Sequence, residues 1–333
     1  MRAWLMDSYG GIESLRLDEV PDPRPGSNEV LINVRFAGLN PADAFLASGM
    51  YPAKPRFPHI LGRDGAGDVV LVGSDVRDTR RGDTVGILRG DVGVTVWGTL
   101  AEKVLVPAES VAPLPKGWTL GEMAAAPLVF LTAWQALTQW TDPPAPPSPG
   151  SNVLITGASG GVGVASVLLG KSMGLTVVAL SRSPQKQARL KELGADFVFD
   201  PNDPHVLKTI GAALAPRRVN LVIDTVGGAL LPQLVRLLDY RGRISIVGRS
   251  GGSVPEFNTA TLLFRRLRIG GVAVGDYNAQ EAQSIWKEIV DRLEAIGRRP
   301  QIDITVPFEK VKEGFSRLAQ GPMGKVLVNV QGT

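Results

Sequence analysis

Short apolar runs dominate the first third of the chain. Residues 30–34, 67–72, 84–87 and 101–106 form such runs, separated by turn-forming strings such as Pro-Asp-Pro-Arg-Pro-Gly and Arg-Arg-Gly-Asp. Gly and Pro punctuate strands that pair through tight turns, so this rhythm predicts a mostly β half, an antiparallel barrel or sandwich. From Leu120 to Trp140 the spacing turns helical, and the proline-rich string 142–150 ends it. Proline lacks the amide a helix needs and disfavours an α conformation in the residue before it, so this string reads as a stiff surface connection.

After Asn152 the pattern alternates. NVLIT, TVVALS, FVF, NLVID, RISIVG and RIGGVAV read as strands, with helices predicted over 161–173, over 184–193, after Asp203 and over 229–238. Short β-branched strands separated by helices are the mark of right-handed βαβ units on a buried parallel sheet. Six of them complete a Rossmann sheet. A helix follows over 278–296, with Asn278 and Glu281 at capping-box spacing and Ile285, Ile289, Val290, Leu293 and Ile296 on one stripe. VPFEKVKEGFSRL and GKVLVNV add a last helix and a closing strand, and no internal repeat is visible.

Length and composition fit this picture. A chain of 333 residues, 44% hydrophobic and 20% charged, has the make-up of a globular protein of two domains. The net charge of +4 is scattered, with only short clusters at 80–81, 265–268 and 298–299, and so reads as solvated surface; no nucleic acid is expected as a partner. There is no cysteine and only His59 and His205, which excludes disulfides, thiolate nucleophiles and cysteine- or histidine-rich metal sites. MRAWLMDSYGG has no apolar run of signal length and no later stretch is long enough for a membrane helix, so a cytoplasmic enzyme is the expectation.

The strongest chemical signal is Thr156-Gly157-Ala158-Ser159-Gly160-Gly161-Val162-Gly163, which leaves one strand and enters a helix. Such a turn lets backbone approach a pyrophosphate while the helix N-terminus offers amide donors. Ala158 stands where the first glycine is usual. About 20 residues on, where NAD-selective sites carry Asp or Glu, the chain has Ser181, Arg182 and Ser183, then Lys186. A missing carboxylate with two cations suits a 2′-phosphate and favours NADPH over NADH.

The chain resembles the zinc-independent quinone oxidoreductases of the medium-chain dehydrogenase/reductase superfamily along nearly its whole length. The resemblance rests on Gly38-Leu39-Asn40-Pro41-Ala42-Asp43, Ser48-Gly49-Met50-Tyr51-Pro52, Leu61-Gly62-Arg63-Asp64-Gly65-Ala66-Gly67, Leu131-Thr132-Ala133-Trp134, the glycine turn, and Gly324-Lys325-Val326. It implies an α/β protein: a GroES-like, mostly β substrate domain from residues 1–123 and 273–333, a Rossmann cofactor domain from 124–272, and a cleft between them. It also implies a homodimer joined through RIGGVAV, the last Rossmann strand. Zinc-dependent relatives carry histidine where Arg63 stands, and cysteines besides, so no metal is expected.

By the same resemblance Asn40 and Asp43 lie near the nicotinamide, Tyr51 is a candidate hydroxyl donor to the substrate oxygen, and Thr132 packs on the ring. Bland readings stand beside these: a turn at Asn40 and Asp43, a surface aromatic at Tyr51, a helix cap at Thr132. Cofactor contacts are expected from Ala158, Ser159, Gly160, Gly161, Val162, Gly163, Ser181, Arg182 and Lys186. Thr225, Val226, Val247, Gly248 and Val272 join them, because ligands in such sheets lie beyond the carboxyl ends of the strands. Lys325 either reaches the cofactor, as the resemblance implies, or is a solvated lysine. The expected reaction is metal-free hydride transfer from NADPH to a quinone or to the β-carbon of an enone or enoyl thioester. The alternatives are an alcohol dehydrogenase-like enzyme and a cofactor-binding structural or RNA-binding protein. Substrate choice falls to the loops 50–58 and 89–98, whose shapes the sequence does not yield.

Overall fold

The computed structural model describes residues 1–88, 90–254, 256 and 258–332, which leaves Arg89, at the head of the 89–98 loop, outside. In chain order the elements are β1 (Arg2–Met6), β2 (Arg16–Glu19), β3 (Glu29–Gly38), α1 (Pro41–Ala47), β4 (His59–Ile60), β5 (Asp64–Val72), β6 (Thr84–Ile87), β7 (Lys103–Pro107), β8 (Val111–Pro113) and α2 (Leu120–Ala125). Next come α3 (Pro127–Thr138), β9 (Asn152–Ile155), α4 (Gly161–Ser172), β10 (Thr176–Leu180), α5 (Pro184–Leu193), β11 (Phe197–Phe199), α6 (Val206–Leu214), β12 (Val219–Asp224), α7 (Leu231–Leu237), β13 (Leu238–Ile246), α8 (Ala260–Arg265) and β14 (Arg268–Gly271). The chain closes with α9 (Ala279–Ala295), β15 (Ile302–Pro307), α10 (Val311–Ala319) and β16 (Lys325–Asn329). Two compact units result, one of Met1–Leu128, Gly275–Val290 and Arg299–Thr333, the other of Val129–Val274 and Asp291–Arg298.

The first unit is GroES-like. Its main sheet runs β15-β16-β3-β5-β6-β8, with β7 also on β3, and β1 is the centre of a smaller sheet, β2-β1-β4. All pairings are antiparallel except β15 with β16. β3 is long enough to share one edge between two partners: Glu29 to Asn33 pair with β7, and Phe36 to Gly38 with β16. The last strand is thereby locked beside the third. Val30, Ile32, Val34, Val104, Val106, Val326 and Val328 meet in one core.

The second unit is a Rossmann sheet of six parallel strands in the order β11-β10-β9-β12-β13-β14. Counted along the chain this is 3-2-1-4-5-6, the doubly wound arrangement with its switch point at the first strand. Val153, Leu154, Ile155, Val177, Val178, Val222 and Ile223 are all within 1% of full burial, as two-sided packing demands.

Two sequence expectations shift. The helical stretch 120–140 is two helices, because Pro127 brings no amide to continue the first, and Ala126 closes it with a tight bond from its N–H to the Met123 carbonyl (3.3 Å). The helix expected over 229–238 is a 3₁₀ turn at Gly228–Leu230 followed by α7, and Leu238 already opens β13. On α9 the fully buried stripe is Ala282, Trp286, Ile289 and Leu293, with Trp286 edge-on to Trp118 at 5.9 Å.

One buried hydroxyl ties α3 to the sheet. Ser245 Oγ donates to the Ala136 carbonyl (2.7 Å) and accepts from Gln139 Nε2 and Trp140 Nε1 (both 3.0 Å). Ser245→Ala strands three polar groups at once, so stability falls by about 1–3 kcal/mol. Urea denaturation checks this, and an unchanged midpoint would show that the bonds carry no net stability.

Candidate functional site

In the first unit the register of three strands decides where chemistry gathers. Gly38, the last residue of β3, lies opposite Asp64, the first of β5, and opposite Leu327, two residues after Lys325 begins β16. A Cβ on Gly38 would come within 2.9 Å of the Asp64 Cβ and 2.6 Å of the Ala124 carbonyl, so only glycine lets the elements close here.

The result is a buried polar cluster. Lys325 Nζ donates to Asp64 Oδ2 and to Asn40 Oδ1, each at 2.7 Å. Asn40 Nδ2 donates to the same Asp64 oxygen (2.9 Å) and to the Gly38 carbonyl (3.2 Å), which leaves the amide one orientation. The other Asp64 oxygen accepts from the Leu128 amide (3.1 Å), and Thr99 Oγ1 donates to the Asp64 carbonyl (2.7 Å). Asn40, Asp64 and Lys325 expose 4%, 0% and 3% of their surface, so Lys325 is not the solvated lysine of the bland reading. Burial of a bare ammonium is costly, and the paired carboxylate and amide make it tolerable here.

Asn40 is also the N-cap of α1, and its N–H donates to Asp43 Oδ2 (2.9 Å), so the turn reading of these two residues holds as local structure. Asp43 is fully buried, and its Oδ1 has no hydrogen-bond partner. Burial pushes its pKa up to about 6, with Asp64 adding to the rise, while Arg63, the Asn40 amide and Lys325 pull against it. Tyr51 is half-buried against the core. Arg63 Nη1 donates to its hydroxyl oxygen (3.1 Å) with the guanidinium 5.6 Å from the ring centroid. The phenol therefore keeps its own proton free to donate elsewhere.

In the second unit the expected residues collect at the carboxyl edge of the sheet. Gly157 has φ +54°, and a Cβ on Gly163 would sit 2.4 Å from the Gly157 carbonyl oxygen, so both are glycine for internal reasons. Gly160 is different: its φ is −75° and an added Cβ would meet nothing nearer than 3.5 Å. What a side chain there would fill is open space over the N-terminus of α4, the room a phosphate needs. Ala158 is fully buried, its N–H donating to the Leu180 carbonyl (3.2 Å), which sets the turn against the end of β10. Ser159, Gly160, Gly161 and Val162 are part-exposed.

Around this edge Asp224 forms a hub. Its Oδ1 accepts from Thr156 Oγ1 (2.7 Å), the Val226 amide (3.1 Å) and the Gly227 amide (3.0 Å), and its carbonyl accepts from the amides of Val247 (2.9 Å) and Gly248 (3.2 Å). Thr225 returns two bonds to Thr156 (2.9 and 2.8 Å), and Val272 donates to the Ile246 carbonyl (3.0 Å). Ser181 is buried, Arg182 exposed, Lys186 half-buried in the first turn of α5, and Ser183 caps that helix. Thr132 lies half-buried inside α3, not at its cap. Asp64 and Asp224 escaped the sequence reading. Asp64 was visible only as part of the Leu61–Gly67 string, and Asp224 only as a carboxylate closing an otherwise mostly apolar strand.

A Rossmann sheet with this turn, in one chain with a GroES-like unit, is the architecture of the medium-chain dehydrogenase/reductase superfamily. Residues 26–116 match the model of the alcohol dehydrogenase GroES-like domain, and residues 161–295 that of the zinc-binding dehydrogenases. The quinone oxidoreductase of Rattus norvegicus is 30% identical over 331 residues, covering 98% of this chain and 97% of that protein. The solved structure of an NAD-dependent alcohol dehydrogenase is similar with a TM-score of 0.90 at 30% identity, covering 99% of this chain and all of that one. A mycobacterial protein solved with NADPH gives 0.88 at 25% identity, with 99% of this chain and 100% of that one covered. The chain belongs to the quinone oxidoreductase family of that superfamily.

Zinc does not fit the residues present. Arg63 brings a cation where zinc-dependent relatives bring a ligand, the chain has no cysteine, and no three His, Cys, Asp or Glu among the described residues could hold a metal. His59 is buried, with its pKa lowered by burial.

The raised pKa of Asp43 has a thermodynamic sign. In the unfolded chain it titrates near 3.8 and in the folded protein near 6, so the folded state binds the proton more tightly. The resulting stability is fully present below pH 3.8 and is lost as pH rises through 6, a swing of roughly 3 kcal/mol at about 1.4 kcal/mol per unit. Asp43→Asn removes that titration. Its melting temperature relative to the wild type should rise between pH 4 and pH 7, and a pH-independent difference would refute the assignment.

Proposed function

We propose that the protein is an NADPH-dependent, metal-independent reductase of quinones or α,β-unsaturated carbonyls. The observation that carries the cofactor part is the end of β10. The glycine turn abuts Leu180, and the next residues are a buried serine and an exposed arginine, with no carboxylate where a ribose 2′-hydroxyl would need one. Asp200, after the neighbouring strand, accepts from the Asn202 amide in its own turn (2.9 Å). In this reading Ser159 to Gly163 receive the pyrophosphate, Arg182 and Lys186 the 2′-phosphate, and Thr225, Val226, Val247, Gly248 and Val272 line the rest. The NADPH carried by the mycobacterial neighbour supports the same choice.

Bound NADPH would supply a hydride to the electron-poor carbon of the acceptor. The protein's own part is to hold the acceptor and to stabilise the oxygen that gains charge. Tyr51 is suited to donate there, because Arg63 already supplies the bond its oxygen accepts. Asn40 and Thr132 are assigned to positioning, and Asp43, with its pKa near 6, to the electrostatic balance beside Asn40. Alcohol oxidation by metal polarisation would need a metal, and among the described residues no three His, Cys, Asp or Glu are placed to hold one.

The assembly we assign is a homodimer through β14. That strand ends the sheet, and Leu263, Phe264 and Ile269 expose 71%, 78% and 38% of their surface around it. An open parallel edge with such an apolar surround calls for a partner, and a second copy provides one symmetrically.

Fluorescence titration with NADPH and NADH is expected to show preference for NADPH, and Arg182→Ala with Lys186→Ala to reduce that preference at least tenfold, the size of one or two charge-assisted contacts. Loss of reduced-nicotinamide absorbance with 9,10-phenanthrenequinone then reads turnover. Tyr51→Phe should lower kcat by about ten- to a hundredfold with KM little changed. Equal affinity for both cofactors would sink the 2′-phosphate assignment, and turnover unaffected in Tyr51→Phe would remove Tyr51 from the chemistry. For the dimer, Leu263→Glu with Phe264→Glu should convert a two-chain sedimentation mass to one chain. A wild-type monomer would overturn it.

A further inference from the structure

A groove lies at the amino edge of the Rossmann sheet, opposite the glycine turn. It is a cavity of about 530 Å³ walled by α6, the 215–218 turn, the start of β12 and the end of α7. The glycine turn leaves the carboxyl end of β9, which runs parallel to β12, so a strand's length, about 20 Å, separates the two. Its floor is apolar, made by Ile210, Leu214, Val219 and Leu237, and its rim carries Lys208, Arg217, Arg218 and Arg236 with no carboxylate among the lining residues.

The guanidinium groups here are held by neutral acceptors. Arg217 donates to the Gly150 carbonyl (2.9 Å), and Arg218 to those of Leu238 (3.0 Å) and Arg236 (2.5 Å). Arg265 reaches the same two carbonyls, Leu238 and Arg236 (3.1 and 3.2 Å). These bonds fix the cations in place without cancelling their charge, those of Arg218 and Arg265 at the carboxyl end of α7. Lys208 and Arg236 have side chains with no ion-pair partner among the described residues.

Gly211 adds an independent sign. It sits inside α6, where glycine is the poorest helix former after proline, and a Cβ there would meet nothing within 4 Å. Neither turn nor packing calls for glycine at this wall. Gly211 lines the groove, so a large side chain there adds bulk at its wall.

From fixed positive charge, an apolar floor and a wall kept open, we propose that this groove binds a phosphate monoester carrying a small apolar body, at a site separate from the cofactor turn. Several cations along one rim match a dianionic head better than a monoanionic one, and the floor accounts for the apolar part. The inference does not depend on the oxidoreductase reading.

Calorimetric titration of the intact protein with hexyl phosphate, with and without saturating NADPH, tests it. One saturable site of micromolar affinity, at least tenfold tighter for hexyl phosphate than for inorganic phosphate or hexanoate, is expected in both conditions. Lys208→Gln with Arg236→Gln should weaken it tenfold or more, and Gly211→Leu, a change that favours the helix, should block it, while NADPH affinity stays the same in both variants. Binding that survives both variants, or that NADPH abolishes, would place the phosphate in the cofactor site and overturn the proposal. So would hexyl phosphate that binds no tighter than inorganic phosphate. Failure of NADPH to bind would bear on the cofactor reading alone.

Discussion

The buried pair of Lys325 and Asp64 is the constraint on which the first unit depends. An ammonium and a carboxylate enclosed together lose far more hydration than a surface pair does, and only close geometry with further hydrogen bonds compensates. That geometry exists because β16 pairs with the last residues of β3 while β5 pairs along its other edge. The pair thus links residues 261 positions apart and makes the placement of Asn40 depend on the far end of the chain. Removing either partner would leave a bare charge in the core, so the cluster cannot be dismantled one residue at a time without a large penalty.

The second unit meets the same problem with a single carboxylate, which is satisfied on one oxygen only. Asp224 is held through one oxygen by a hydroxyl and two amides rather than by a cation, its other oxygen is buried without a partner, and the strands it ties together end at the same carboxyl edge. Dipoles aimed at a carboxylate can hold it while leaving the surroundings free of countercharge. Both units therefore use one buried carboxylate at a strand terminus to fix the loops that carry the candidate site. In one a lysine is drawn into the site with it, and in the other the neighbourhood is left to backbone amides.

Most of the Rossmann architecture was legible because buried parallel strands must be continuous apolar runs, and NVLIT, NLVID and RISIVG are recognisable as such without neighbours. The glycine turn was legible for the same local reason. Element ends were less so: Pro127 broke a helix that apolar spacing alone would have continued, and Leu238 passed from helix to strand within one apolar run. The polar cluster was not legible at all as a cluster. Asn40, Asp64 and Lys325 meet only through strand register, and nothing in their local sequence distinguishes a buried lysine from a solvated one. A pattern of hydrophobic spacing reports which face is buried, not which polar residues are carried inward with it.

The basic residues follow a related logic. Along the sequence they form only pairs and short strings, which argues against a charged stripe, and Lys208, Arg217, Arg218, Arg236 and Arg265 are spread over nearly sixty positions. The βαβ crossover gathers them, because it returns the chain to the same amino edge of the sheet after each helix. There the last turn of α7 presents carbonyls that attract guanidinium groups, and the acceptors are neutral, so each arginine that anchors the fold also leaves its charge behind. At the carboxyl edge, helix N-termini and glycine leave room for phosphate. At the amino edge, the proposed site assigns the same work to side-chain cations, so this sheet would offer an anion two chemically different ends.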